Sequence, residues 1–556
     1  MGHITHNTWI ATLARFSRFA RIGRLARFGA ALLATLFCLH AQAAAPGITG
    51  THFDLSAEAN RITQPDGASV YSWGYGCRTA PAGFSPSTIA GANCPSMQIP
   101  GPTLIVKQGD VVTVTLTNNL PAAAGNTSIL FPGFQVCAAV LNPDGTCPAA
   151  LTGSPGLLTR EAAHGTTVTY SFVAATPGTH AYYSGTQGDL QIEMGLYGAI
   201  IVLPTSSPGT VAVPTGCRAV AATLPDGQTD FRNAGAAYNH IAACYDREYL
   251  FQFSEMDPRI HAQAEQQAAN ACTAPNGCMT VETEPYHPAY FMVNGRSMPD
   301  DMDPNYAVQY PHQPYNGNPH MHPGELVLLR IIGTGRWQHP FHEHGNHVRV
   351  LARDGNMLLS KTDSTKVAGP LLFTTTTTPG LAMDGIFYWT GKGLNWDVYG
   401  HKPGDVYTDP APQFAAYLGK PVVCVPDVNG YYTADPHAPN YYEWCADHAK
   451  ALEAHPFGNV ASGGPVTLPD SHVVTNGFWY GGSPYLGPDA TIRATAPTGT
   501  TPPSGTVVNP PATEAGFAFM WHSHNEREIT TNNIFPGGMM MMMLVDPQAF
   551  VIDESN

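Results

Sequence analysis

Charge is scarce in this chain. Only 12% of its 556 residues are Asp, Glu, Lys or Arg, and 26 basic residues face 41 acidic ones, a formal net charge of −15. A surface short of cations disfavours nucleic acid and anionic membranes as partners. The apolar stretch Phe28 to Leu39 is too short to span a bilayer stably, so no membrane span is expected in the mature chain. No cysteine lies beside a histidine pair, so disulfides outrank metal thiolates as the use of the cysteines.

The first 43 residues read as an export signal. Arg15, Arg18, Arg21, Arg24 and Arg27 form a positive region, the apolar stretch follows, and Ala41-Gln42-Ala43 offers a small-residue cleavage site. Paired arginines are absent, which favours ordinary secretion, and Cys38 has no lipobox around it. Loss of the five arginines takes the formal charge to about −20. A periplasmic or extracellular location follows as the expectation. Ten cysteines then remain, an even number that suits disulfides in an oxidising compartment. Neighbour pairing (77–94, 137–147, 217–244, 272–278, 424–445) is the simplest scheme.

Glycine (56) and proline (49) are plentiful, as in a β-rich chain with long loops. Thr103 to Asn118 alternates apolar and polar residues around a Gly-Asp turn, as two strands would. Thr166 to Ala174, Tyr197 to Leu203, Glu248 to Ser254, Tyr290 to Asn294, Glu325 to Ile332, His347 to Leu351, Phe517 to Trp521 and Met540 to Val545 read as further strands. Residues 392–512 break this rhythm with Pro, Gly, Tyr and Trp.

Two histidine pairs carry the chemistry. His342 and His344 lie in HPFHEHGNH (339–347), His522 and His524 in WHSHNERE (521–528). On an extended strand, His-X-His points both rings to one face, and Glu343 to the other. Two such strands side by side bring four neutral nitrogen donors together, a set suited to copper, zinc or iron. The competing reading has the rings hydrogen-bonded into the domain face with no ion. His-Met-His at 320–322 reads as a solvated loop before a copper loop, and Met539 to Met543 as core before a thioether site.

Several stretches resemble the multicopper oxidases: IPGPTLIVKQGDVVTVTLTNNLP (99–121), PGTHAYYSGTQGDLQIEMGLYGAIIVLP (177–204), FMVNGRSMP (291–299), GELVLLRIIGTGRWQHPFHEHGNHVRVLARDG (324–355) and WHSHNERE with the following GGMM (521–540). The resemblance implies an all-β chain of tandem cupredoxin-like Greek-key β-sandwiches. The first domain would cover 46–204, a connector 205–245, and the second 246–547 with the loop-rich insertion at about 392–512. It implies copper as cofactor, with zinc or another divalent metal fitting the same donors. Dioxygen and a small phenolic or metal-ion reductant are the implied substrates, and a homotrimer is an implied assembly.

The ligand set departs from the family's pattern. Where the family has His-Trp-His-Gly, this chain has Leu130-Phe131-Pro132-Gly133, and Tyr183-Ser184-Gly185 replaces His-Ser-His. By the same resemblance His339 holds the place of a blue-copper histidine, but Ser523 stands for the cysteine and Glu528 for the second histidine. A serine hydroxyl stays protonated near neutral pH and cannot replace a soft thiolate. His339, Ser523 and Glu528 are then either a polar remnant of that site, suited to a different metal or a polar substrate group, or a hydrogen-bonded cluster, the reading preferred, and His347 is an extra ligand or an outer support. The expectation is an exported copper-dependent oxidoreductase with a histidine-only site, not a standard laccase. The alternatives are a non-catalytic periplasmic copper-binding carrier, or a structural or interaction module on the same scaffold.

Overall fold

Alternation within Val111–Asn118 (VVTVTLTN) buries Val112, Val114 and Leu116 against the aromatic rings of Trp73, Tyr170 and Phe172. In the computed structural model the described residues are 44–87, 89–207, 210–211, 213–221, 223, 230–322, 325–389, 406, 416–425, 435, 482–485, 516–545 and 552. The expected leader, 1–43, lies outside them, as does most of 392–512. Among the described residues strands dominate, with few and short helices. The longest helix, Pro258–Gln267, starts with proline in its first turn and is capped by Asp257, which accepts from the Arg259 N–H.

The two strands expected around the Gly-Asp turn are Leu104–Lys107 and Val111–Asn118, and they do not pair with each other. Leu104–Lys107 lies in a five-stranded sheet between Gly47–Thr49 and Tyr197–Leu203, parallel to both. Val111–Asn118 crosses to a four-stranded sheet, between His52–Thr63 and Thr167–Val173. These two sheets enclose the first core. Tyr197–Leu203 is buried along its whole length: Ile200 and Val202 face that core while Ala199, Ile201 and Leu203 meet Leu250, Ile332 and Ala382 of the second sandwich. Burial on both faces explains why this strand reads as a continuous apolar run.

The second sandwich has one sheet of Arg247–Met256, Tyr290–Val293, Leu326–Gly333, Val348–Arg353 and Ala382–Tyr388, with two short strands. The facing sheet runs His320–Met321, Met540–Val545, Gly516–Ser523, His339–Glu343, Thr374–Thr377. Gly482–Tyr485, from within 392–512, pairs with Gly516–Ser523. Phe251, Phe253, Leu329, Phe341, Val350, Trp521 and Met541 fill the space between the sheets. The fold is therefore all-β, two cupredoxin-like sandwiches in tandem. Disulfides 77–94, 137–147, 217–244 and 272–278 join the cysteines that neighbour pairing predicts. For the fifth expected pair, Cys445 lies outside the described residues.

A buried ion-pair network ties the sandwiches together. Arg330 donates to Glu248 (2.7 Å) and to the Thr179 hydroxyl (3.0 Å) of the first sandwich, and Asp384 accepts from Thr179 (2.5 Å) and Tyr238 (2.5 Å). Removing one partner of such a group leaves uncompensated charge in the interior, at a cost of about 3–5 kcal/mol. Arg330→Ala is expected to lower the urea midpoint accordingly. A midpoint equal to that of the wild type would show the network to be dispensable.

Candidate metal centre

His339–Glu343 and Gly516–Ser523 are antiparallel neighbours, with His342 directly opposite His522. Both pairs of histidines therefore project from one face of the sheet, as period-2 alternation requires. On the opposite face Phe341 and Trp521 enter the core. His344 follows the end of its strand, where Gly345 (φ +99°) turns the chain. A Cβ at Gly345 would lie 2.9 Å from the Phe519 ring, so only glycine lets the backbone pass so close.

His342, His344 and His522 are buried, and one nitrogen from each lies within 4.8 Å of the others. The His522 Nδ1–H donates to the Ser523 carbonyl (2.7 Å), which leaves the lone pair on Nε2; that atom lies 3.3 Å from His344 Nε2. His342 Nδ1 shares a 2.8 Å hydrogen bond with the Thr374 hydroxyl on the adjoining strand, the kind of outer support that orients a ligating ring. His524 is exposed at the rim, its ring centroid 4.7 Å from that of His342. Three imidazoles thus form the interior of the cluster and the fourth its mouth. Burial, then the neighbouring rings of His344, His522 and His524, push His342 down to about 4. Burial, above all, also lowers His522. Both rings are neutral at physiological pH, the form that binds metal.

His347 is half-buried and packs edge-on to Phe373 at 5.0 Å, which in turn lies 5.7 Å from His342. Glu343 faces the other way, as alternation predicts, and accepts a hydrogen bond from Thr375 (2.7 Å). Burial raises its carboxyl to about 8.

His339, Ser523 and Glu528 do meet, together with a residue that the sequence did not announce. His339 Nδ1 lies 2.8 Å from Glu528 Oε2, and Nε2 lies 2.9 Å from Glu255 Oε2. Ser523 Oγ donates to Glu528 (2.5 Å), and the N–H groups of Arg336 and Trp337 donate to Glu255 (2.6 and 2.9 Å). Burial disfavours the His339 cation, but the hydrogen bonds to Glu255 and Glu528 outweigh it and raise the ring to about 9. Both ring nitrogens are committed to carboxylates. The described residues here form an ion-paired, hydrogen-bonded cluster.

The remaining sequence motifs fall elsewhere. Leu130 and Tyr183 bridge in the first sandwich, Phe131 and Tyr182 pack into its core, and the Tyr182 hydroxyl donates to the Pro102 carbonyl (2.8 Å). His320-Met321-His322 is not a solvated loop. His320 and Met321 form a buried strand beside Leu544 and Val545, and His322 lies 3.1 Å from Glu325. The Tyr249 side chain fixes this segment by hydrogen-bonding both the N–H and the carbonyl of His320.

Among the described residues, no helix is long and apolar enough to cross a membrane. Multicopper oxidase family models match residues 80–207 and 282–381. Laccase 1 of Metarhizium acridum (strain CQMa 102) is 35% identical over 107 residues, 19% of this chain and 15% of the laccase. The chain thus spans well under a fifth of that relative. Similar solved structures include the multicopper oxidase mgLAC (15% identity, TM-score 0.43, 89% of this chain and 85% of that one). The blue copper oxidase of Nitrosomonas europaea is another (16%, TM-score 0.41, 88% and 85%). Two segments of the chain, one in each sandwich, thus match family models of the multicopper oxidases.

Proposed function

We propose that this protein is an exported copper-binding oxidoreductase that works through a histidine-only centre made by His342, His344 and His522, with His524 at its mouth. One observation carries the reading: the 3.3 Å between the Nε2 atoms of His344 and His522. Two nitrogens bound at about 2.0 Å to a single tetrahedral ion stand about 3.3 Å apart. Neutral imidazoles suit copper, and zinc or another divalent ion fits the same donors. Bound copper would supply one-electron chemistry. The protein's part is to hold the rings neutral and oriented through Thr374 and the Ser523 carbonyl, and to admit small molecules past His524 and Phe373.

The blue-copper position is a different matter. Ser523 in place of a cysteine, hydrogen-bonded to Glu528, offers no thiolate, so the four-electron laccase route is not expected. Ser523→Cys alone is expected to give no intense red-region absorption with copper, because Glu528 still supplies no imidazole and His339 stays ion-paired. Such a band in that variant would overturn the assignment.

The same lack of an electron entry favours a second reading, a non-catalytic copper carrier. Metal analysis of protein purified without added copper, followed by oxygen uptake with a phenolic donor, separates the two. Turnover supports the oxidoreductase and stoichiometric metal without turnover the carrier. Absence of metal leaves only a structural or interaction module. Four disulfides fit an oxidising compartment, periplasmic or extracellular. The homotrimer that the resemblance implies remains a proposal, tested by light scattering.

A further inference from the structure

The cluster around His339 reaches the surface at Tyr286. That hydroxyl donates to Glu193 Oε2 (2.7 Å) and lies 3.4 Å from Glu255 Oε1. Glu193 and Glu255 are both buried, while the Tyr286 ring is half-buried and meets the exposed Trp337 edge-on at 5.5 Å. The Arg336 guanidinium covers the ring at 4.3 Å and fixes it. From Tyr286 inward the hydrogen bonds are unbroken. Glu255 bonds His339 Nε2, His339 Nδ1 bonds Glu528, and Ser523 Oγ donates to the same Glu528 oxygen, at 2.9, 2.8 and 2.5 Å. Ser523 is the chain neighbour of His522.

Packing does not require two acids on one hydroxyl. Each buried carboxylate loses solvation, and two of like charge repel. Burial first, then Glu193 and Glu255, holds the Tyr286 phenol proton far above the usual tyrosine range. The hydroxyl therefore gives up its proton only when an electron leaves with it. Burial also raises the Glu193 carboxyl to about 8, so an acid that binds a proton readily lies within reach. We infer that Tyr286 is a redox-active phenol and the electron-entry residue of this chain, joined to His522 by Glu255, His339, Glu528 and Ser523. Such an entry replaces the missing thiolate. It rests on the proposed copper centre, whose cupric ion is the oxidant. In the first step Tyr286 yields one electron along this run of bonds, reducing that ion to cuprous, and its proton passes to the pair of Glu193 and Glu255, leaving a neutral phenoxyl. A small phenolic reductant at Trp337 then supplies the replacement electron, the pair returns the proton, and the reductant's own proton goes to water.

The test begins on the full chain without metal. A one-electron outer-sphere oxidant, hexachloroiridate, is expected to leave a tyrosyl radical seen by freeze-quench EPR, and Tyr286→Phe, which keeps the ring, is expected to lose that signal. Glu193→Gln, which keeps the shape and removes a proton acceptor, is the second variant should the first misfold, and is expected to diminish the signal. A signal of wild-type size in either variant, or no radical in the wild type, would overturn the inference. Copper-loaded protein tests the route. Tyr286→Phe is expected to hold the same copper, but hydroquinone in anaerobic stopped flow should reduce it about 100-fold more slowly, the loss of a positioned proton transfer. Equal rates would overturn the route. A wild type that binds no copper fails the proposed function, while the metal-free radical alone decides whether Tyr286 is redox-active.

Discussion

His344→Ala/His522→Ala loses stoichiometric divalent copper. These residues supply the 3.3 Å nitrogen pair, and no other grouping of three histidines, cysteines or acids within ligand reach occurs among the described residues. A four-ligand site worth roughly 10–16 kcal/mol gives about 3 kcal/mol or more per ligand. Two deletions then cost roughly four orders of magnitude in affinity. Thr374→Val, which removes only the hydroxyl beside His342 Nδ1, is expected to cost about 10- to 100-fold. Equilibrium dialysis with metal analysis reads both. A double variant with wild-type copper content would place the metal elsewhere.

The second large effect is on stability. His339→Ala strips the cation from between Glu255 and Glu528, both buried. Two carboxylates without their partner are expected to cost about 3–5 kcal/mol. The wild type should also respond to alkali. The His339 ring titrates at about 9 in the folded protein, against an ordinary value of 6.5. A histidine raised in this way contributes its full stabilisation below the unfolded value. The contribution shrinks as pH rises from about 6.5 and is gone above about 9, on the order of 3 kcal/mol in all. Urea midpoints from pH 6 to 10 should fall in the wild type and stay flatter in His339→Ala. A flat wild-type profile would mean that the ring is not charged.

The histidine face was legible because strands have period 2: His-X-His fixes both rings on one side before any fold is known. The pairing of the two strands was expected only in outline, and the exposure of His524 not at all, since it depends on where the strand ends. Glu255 went unnoticed although it continues the inward face of Phe251 and Phe253, and an acid on an apolar stripe is a signal of a buried partner. That partner lies 84 residues on, at a distance no local pattern encodes. His320 misled for the opposite reason. The prolines and glycine around it predict a loop, yet two residues of pairing with Leu544 and Val545 suffice to bury it. In the Met run the core reading holds for Met539, Met541 and Met543, which alternate into the second core.

The four disulfides close rings between cysteines only 17, 10, 27 and 6 residues apart in sequence. Such stitches pin hairpins and corners, and none of them carries the covalent chain from one sandwich across to the other. A protease that clips an exposed loop outside these rings, such as the one around Thr362, would therefore leave the described residues on either side of the cut joined by packing alone. In denaturant, without any reductant, the two pieces would drift apart.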